Sequence, residues 1–324
     1  MDLTGKPAKL GVSIAASWAW GTSLIVGMEI AQQKGLLTWA IWAIANTLTL
    51  AFFGELARRG FLGRRIFDLK YVKVLALFIQ AFCLIIQMNI IFKVLGQLGC
   101  DFWTSYGIAS GVGVIFTLWM YRKGLSTSIL TDRWQWFIAM GAICAIIGIG
   151  LYDGVEHWVY PVSTDSDMLW GWWSAAILMS GPIGDVQHWQ RADVAGRSRA
   201  FAWGSLFFGL YMLMILAMSW FKFNTAMNVI LLMAVLCVTS STIDSIAVAM
   251  HEISNKKVGT CVALFICLFW GVFAHIGVLS LWSHAGIYRV AFALFILAMG
   301  WWMYHREKRP DFVAAANALD AAVE

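Results

Sequence analysis

The chain is a succession of apolar runs, each about as long as the hydrocarbon core of a bilayer is thick, joined by short polar connections. A helix needs about 20 apolar residues to cross that core. Lipid offers no partner to an open backbone, so a chain of such runs folds as helices. On that ruler ten helices are expected, at roughly 10–31, 37–58, 71–97, 102–121, 127–151, 168–189, 199–221, 227–250, 257–275 and 278–304. Composition agrees: 60% of the residues are hydrophobic, 13% are charged and mean hydropathy is +0.73, where soluble domains are about 45–50% apolar and about 25% charged. The expectation is an all-α integral membrane protein, one transmembrane domain over 1–324.

The basic residues orient it. All but Lys34, Lys93, Lys222 and Arg289 of the 23 Lys and Arg fall on one side: the N-terminus, the connections after spans 2, 4, 6 and 8, and the tail at 305–324. By the positive-inside rule that side, with both termini, is cytoplasmic. The longest opposite connection, 152–168, carries Asp153, Glu156, Asp165 and Asp167 and no basic residue. No basic stripe interleaves with aromatics, so nucleic acid is not an expected partner. The six Cys show no metal-ligand spacing and read as buried apolar residues. The six His form no HExxH, and no GxSxG or phosphate-binding loop is present, so an enzyme is not expected. Gly107-Ile-Ala-Ser-Gly111 has small-xxx-small spacing, which suggests close contact inside the bundle.

Ten spans divide into halves of five, about 10–151 and 168–304, and because five is odd the halves have opposite orientation. That is the arithmetic of an inverted repeat. In such folds the first helix of each half is broken, and paired Gly/Pro interruptions point to the binding site. Span 1 has Trp18-Ala-Trp-Gly-Thr-Ser23 at its middle, and span 6 has Ser180-Gly-Pro-Ile-Gly-Asp185. Broken spans 1 and 6 are therefore expected.

Span 8 carries Thr239-Ser-Ser-Thr242 followed by Asp244 and Ser245, out of place in hydrocarbon. An intramembrane acid is a functional-site hypothesis by default. Positions 238, 241, 242 and 245 follow helical i, i+3, i+4, i+7 spacing and share a face. Its ligand atoms are oxygens, which suits a small hard cation.

Four motifs carry a family resemblance. Gly11-Val-Ser-Ile-Ala-Ala-Ser-Trp-Ala-Trp-Gly-Thr-Ser-Leu-Ile-Val-Gly27 resembles the first core helix of the sodium:solute symporters. Ser128-Ile-Leu-Thr-Asp132 resembles the start of their fifth, Gly184-Asp-Val-Gln-His-Trp-Gln-Arg191 the end of their sixth, and Ser241-Thr-Ile-Asp-Ser245 their eighth. They occur in family order over nearly the whole chain. The resemblance implies the leucine-transporter-type five-plus-five repeat and sodium-coupled symport by alternating access, with Na+ as coupling ion and no other cofactor. Carried over by motif, sodium would meet carbonyls of Ala16 and Ala19 on span 1, and Val238, Ser241 and Thr242 on span 8. A second sodium, as in some relatives, would use Asp132, Ser241, Asp244 and Ser245; for Asp132 a solvated helix-end acid is the equal alternative. Ala16-Ser-Trp-Ala-Trp20 is similar to urea and small-amide permeases of the family, whereas the proline-type branch has an acid where this chain has Trp18. Common members carry helices before and after the ten-helix core.

In that fold the solute lies beside the two breaks. Candidate lining residues are Trp18, Trp20, Thr22, Ser23, Gln80, Gln87, Ser180 and Asp185. Buried primary amides at Gln80 and Gln87 suit an uncharged polar solute such as urea or an amide, or else join helices. Trp faces suit a choline- or polyamine-like cation. A sodium-independent channel or facilitator and a proline-like substrate remain alternatives. Glu29 and Arg289 read as a gate pair near the outer ends of their spans. Oligomeric state is not legible.

Overall fold

A computed structural model of the chain describes residues 7–59, 66, 69–194 and 198–307. Lys6, Arg64, Arg65, Arg197, Lys308, Arg309 and the rest of the tail beyond 307 lie outside the described residues. The helices run α1 Pro7–Trp18, α2 Gly21–Lys34, α3 Leu36–Arg58, α4 Lys70–Gln97, α5 Phe102–Lys123, α6 Leu125–Tyr152, α7 Asp165–Gly184, α8 Val186–Val194, α9 Ser198–Ser219, α10 Thr225–Ile253, α11 Lys256–Phe269 and α12 Val278–Glu307, with a 3-10 turn at Trp270–Phe273. Among the described residues the only extended pairing is an isolated bridge between His157 and Phe221.

The protein is an all-α membrane protein. Seven helices are long and apolar enough to cross a bilayer: α3, α4, α6, α9, α10, α11 with its 3-10 turn, and α12. The α1–α2 pair, bent by 65°, makes an eighth if taken as one span. Helices α5 and α7 are of comparable length but are not among them. Both are diluted by Gly and Ser, and α7 opens on two acids.

Side-chain caps set several helix starts, because the first turn leaves amides unpaired. Asp101 accepts from the amides of Trp103 and Thr104 before α5, Asn224 from Met227 before α10, and Asn255 from Val258 before α11. Thr164 and Asp167 form a capping box at α7. Gly124 turns the chain from α5 into α6 at φ +75°, a left-handed conformation that costs a side-chain-bearing residue more.

The first break falls where the glycine pattern placed it. α1 stops at Trp18, Trp20 is extended (φ −58°, ψ 151°), and α2 begins at Gly21. A Cβ on Gly21 would lie 2.5 Å from Thr239 Cγ2, so the break sits directly against α10. In the second half Pro182 stays inside α7, and the interruption comes later, at Asp185. Pro182 has no N–H for the Leu178 carbonyl; the Thr49 hydroxyl donates to that oxygen instead, at 3.0 Å. The last turn of α7 lies against the first break, since a Cβ on Gly181 would lie 2.5 Å from Trp18 Cη2.

α10 is the buried axis: every residue from Val238 to Met250 is buried. At the end bearing the 152–168 connection, Lys34 pairs with Asp167 at 2.9 Å and Lys222 with Glu156. The two basic residues expected on that side therefore meet acids of the same connection. Gly107 and Gly111 face open space, with nothing within 4 Å of an added Cβ. The expected close contact inside the bundle does not form there, because that face of α5 is turned outward.

Candidate functional site

Three buried polar groupings surround the break between α1 and α2. The first joins the break to α10. The Ala19 amide turns back to Ala15 (2.7 Å) and the Trp20 amide to Trp18 (2.8 Å). The carbonyls of Ala16 and Ala19 are thereby left without an amide partner among the described residues. On α10 the Thr242 hydroxyl donates to the Val238 carbonyl at 3.0 Å, and the Ser241 hydroxyl donates to Asp132 Oδ1 at 2.7 Å. A hydroxyl that has given its proton away keeps lone pairs for a cation. Ser13, one turn before Ala16, donates to the same carboxylate at 2.6 Å. Asp132 thus ties α1 to α10 beside the five expected sodium ligands.

The second grouping lies one turn further along α10 and contains a residue the sequence reading misplaced. Asp132, Ser241, Asp244 and Ser245 come together as expected, all buried. Asp132 is not a solvated helix-end acid. The Arg191 guanidinium stands among these residues, 2.8 Å from Asp132 Oδ2 and 2.8 Å from Ser245 Oγ. Ser128 donates to Asp244 Oδ1 at 2.8 Å and Thr131 to its other oxygen at 3.0 Å. The sequence reading placed Arg191 in the connection after span 6, as a topological charge. It lies on α8, wholly buried and ion-paired. Helix α8 turns at Asp185, and the Arg191 Nη1 caps the Gln187 carbonyl at 3.1 Å. Opposite charges at this distance and depth need one another, since either alone would be an uncompensated buried ion.

The third grouping is a small cavity of ≈ 10 Å3 lined by Trp18, Trp20, Thr22, Ser23, Val26, Trp42, Asn46, Leu178, Trp282 and Arg289. Four expected residues line it: Trp18, Trp20, Thr22 and Ser23. The other four do not. Gln80 donates to Asp185 Oδ1 at 2.8 Å, Gln187 donates to the other Asp185 oxygen, and Ser180 turns back to Ile177. Gln87 accepts the Gly21 amide at 3.2 Å, holding the start of α2 rather than facing the cavity. The indole N–H of Trp18 is committed to Asn46 Oδ1 (2.8 Å) and that of Trp20 to the Ser17 carbonyl (3.1 Å).

Arg289, Trp42, Asn46 and Trp282 were missed. Arg289 had a signal: a lone Arg well inside an apolar span. Its expected partner, Glu29, is elsewhere. Glu29 lines a separate cavity of ≈ 280 Å3 with Gln32, Gln97, Trp158, Phe221 and Asn228, at the end bearing the 152–168 connection. The gate pair does not form, because Arg289 lies deep in α12, over the Trp20 ring at 4.1 Å from its centre.

His188 sits beside Trp18, with ring centres 5.1 Å apart, and neither ring nitrogen has a partner. Among the described residues no three of His, Cys, Asp and Glu group as metal ligands. No protein-family model matches the chain, and no curated protein matches it significantly. The resemblance to sodium:solute symporters therefore rests on the four motifs alone.

Proposed function

We propose that the chain is a sodium-coupled symporter of a small polar organic solute, built as ten spans in a five-plus-five inverted repeat and working by alternating access. In this reading α1–α2 form span 1 and α7–α8 form span 6, the two broken helices, with both termini cytoplasmic in a plasma or inner membrane. The observation that carries it is the pair of carbonyls at Ala16 and Ala19, released by the break on a segment that Ser13, through Asp132, ties to Ser241 of α10 and that packs at Gly21 against Thr239. Unpaired carbonyls inside a membrane are costly, and a sodium ion held by them with Val238, Ser241 and Thr242 would remove that cost.

Sodium bound there would hold α1 against α10 and fix the neighbouring solute pocket. By linkage the solute must then tighten sodium by the same factor that sodium tightens the solute. Access would alternate by rocking spans 1, 2, 6 and 7 against the rest. On that division Ser13 and Arg191 belong to the moving bundle and Asp132, Ser241 and Ser245 to the frame. The Asp132–Arg191 pair is then an inner latch that must part when the pocket opens inward. With Arg191 supplying the positive charge there, one sodium is coupled rather than two.

The test is uptake by proteoliposomes under an inward sodium gradient, with a labelled panel of urea, proline, choline, putrescine and lactate. Sodium-driven accumulation of one of them is expected. Downhill equilibration that ignores sodium would point to the facilitator instead.

A further inference from the structure

Arg289 is 6% exposed, and it has no carboxylate partner among the described residues. Its guanidinium leans on the Trp20 ring, and Nη2 donates to Cys83 Sγ at 2.9 Å, a weak acceptor. Asp185 also acts electrostatically on Cys83, but its oxygens are taken by Gln80 and Gln187. Asp185 and Arg289 both act on Cys83 and His188, so a negative charge lies within reach of Arg289 but not in direct contact with it. A buried cation without a direct ion pair is expensive, and its spare donors are a place for an anionic group.

The rest of the lining points the same way. Trp42 is 1% exposed, and its indole N–H has no partner. Thr22 and Ser23 line the cavity from the first turn of α2, whose N-cap, Trp20, provides no side-chain acceptor. The amino end of a half-helix carries partial positive charge and faces anionic groups. The lining therefore offers a guanidinium, an orphan indole N–H and two hydroxyls, and it includes no acid, while at the amino end of α2 the Gly21 amide is held by Gln87 and the Ser23 amide by the Trp20 carbonyl.

We propose that this pocket takes a small organic carboxylate, its oxygens on the Arg289 fork and the Thr22 and Ser23 hydroxyls, its apolar part among the Trp rings. A guanidinium matches a carboxylate in a bidentate fashion. The inference rests on reading this cavity as the solute pocket of the symporter, and it narrows that reading. A choline-like cation would meet the charge of Arg289. A urea-like solute loses its expected amide partners, since Gln80 and Gln87 face elsewhere. The cavity has room for about one water, so a carboxylate enters only when the Arg289–Trp20 stack parts.

The test is calorimetric titration of the purified full chain in sodium medium with acetate, lactate, pyruvate and benzoate, and separately with urea and choline. At least one carboxylate is expected to bind, and Arg289→Gln to weaken it by about ten- to a hundredfold, with Arg289→Lys between. Should Arg289→Gln not fold, Trp42→Phe removes the orphan N–H together with part of the buried ring and is expected to weaken the same carboxylate severalfold. No binding by any of the carboxylates, or affinity unchanged in these variants, would overturn the proposal. Repeating the titration in potassium separates the two readings. Carboxylate binding indifferent to the cation keeps this inference and removes coupling. Sodium-driven urea uptake indifferent to Arg289 keeps coupling and removes this inference.

Discussion

The two arginines buried among the described residues live opposite lives. Arg191 is met by Asp132, Ser245 and the Gln187 carbonyl, all within hydrogen-bond distance. Arg289 has an aromatic face and a thiol. The first is a completed contact between helices, and its chemistry is spent inside the protein. The second has donors to spare and opens on a cavity. On the proposed reading, the completed pair is the latch and the incomplete one the site. The difference is testable because the two residues should respond to the same substitution with different sign or size.

The largest effect is expected at the completed pair. Asp132→Asn leaves Arg191 buried with its charge uncompensated, which costs about 3–5 kcal/mol. A large drop in the thermal midpoint of the purified protein is expected, with most of it recovered by adding Arg191→Gln. A double variant no more stable than the single would mean that the pair does not act as a unit. At the other arginine the expectation reverses. Arg289→Gln gives up a cation–π contact worth about 0.5–2 kcal/mol but also relieves an unmatched buried charge. Stability within about 1 kcal/mol of the parent is expected in the same melt; a loss as large as that of Asp132→Asn would erase the comparison.

Between these lies the contact of Gly181, in α7, with Trp18 at the first break. Gly181→Ala drives a methyl to 2.5 Å of Trp18 Cη2, and overfilling of this kind costs about 1–3 kcal/mol. Because Trp18 lines the cavity, solute affinity should fall along with stability, whereas a purely local clash would leave binding unchanged. The smallest effect is expected at the partly buried Lys34–Asp167 bridge. The Thr164 hydroxyl, then Lys34, hold the Asp167 carboxyl down at about 2 from its usual 3.8. A group depressed in the folded state stabilises above its unfolded value, and that contribution is lost as pH falls from about 4 through about 2. Lys34→Ala should shift the acid limb of the stability profile slightly upward; an unchanged limb would leave Thr164 as the sole cause.

The helices, the break after Trp18 and the α10 oxygen face were legible because each follows from local periodicity or from a glycine in an apolar run. The second interruption falls at Asp185, the last residue of the Ser180–Asp185 stretch, rather than at Pro182, since Pro182 is tolerated within α7 once Thr49 takes up the freed Leu178 carbonyl. Arg191 and Arg289 were misread for one common reason. Charge counting assigns a basic residue to the nearest connection or span end, and nothing local says that a turn at Asp185 folds α8 inward or that Arg289 meets Trp20 across the bundle. The same long-range geometry removed Gln80 and Asp185 from the pocket, by pairing them with each other.

The central claim is that sodium binds where the break in span 1 meets α10. Equilibrium binding of radiolabelled sodium to the purified chain tests it most directly, in the parent, in the Ser241→Ala, Thr242→Ala double variant and in Arg289→Gln. The account expects saturable binding in the parent and in Arg289→Gln. In the double variant binding should weaken by about tenfold or more, since each lost hydroxyl ligand is worth about 1–3 kcal/mol. Sodium binding that survives the double variant unchanged, or that is absent from the parent, would contradict it.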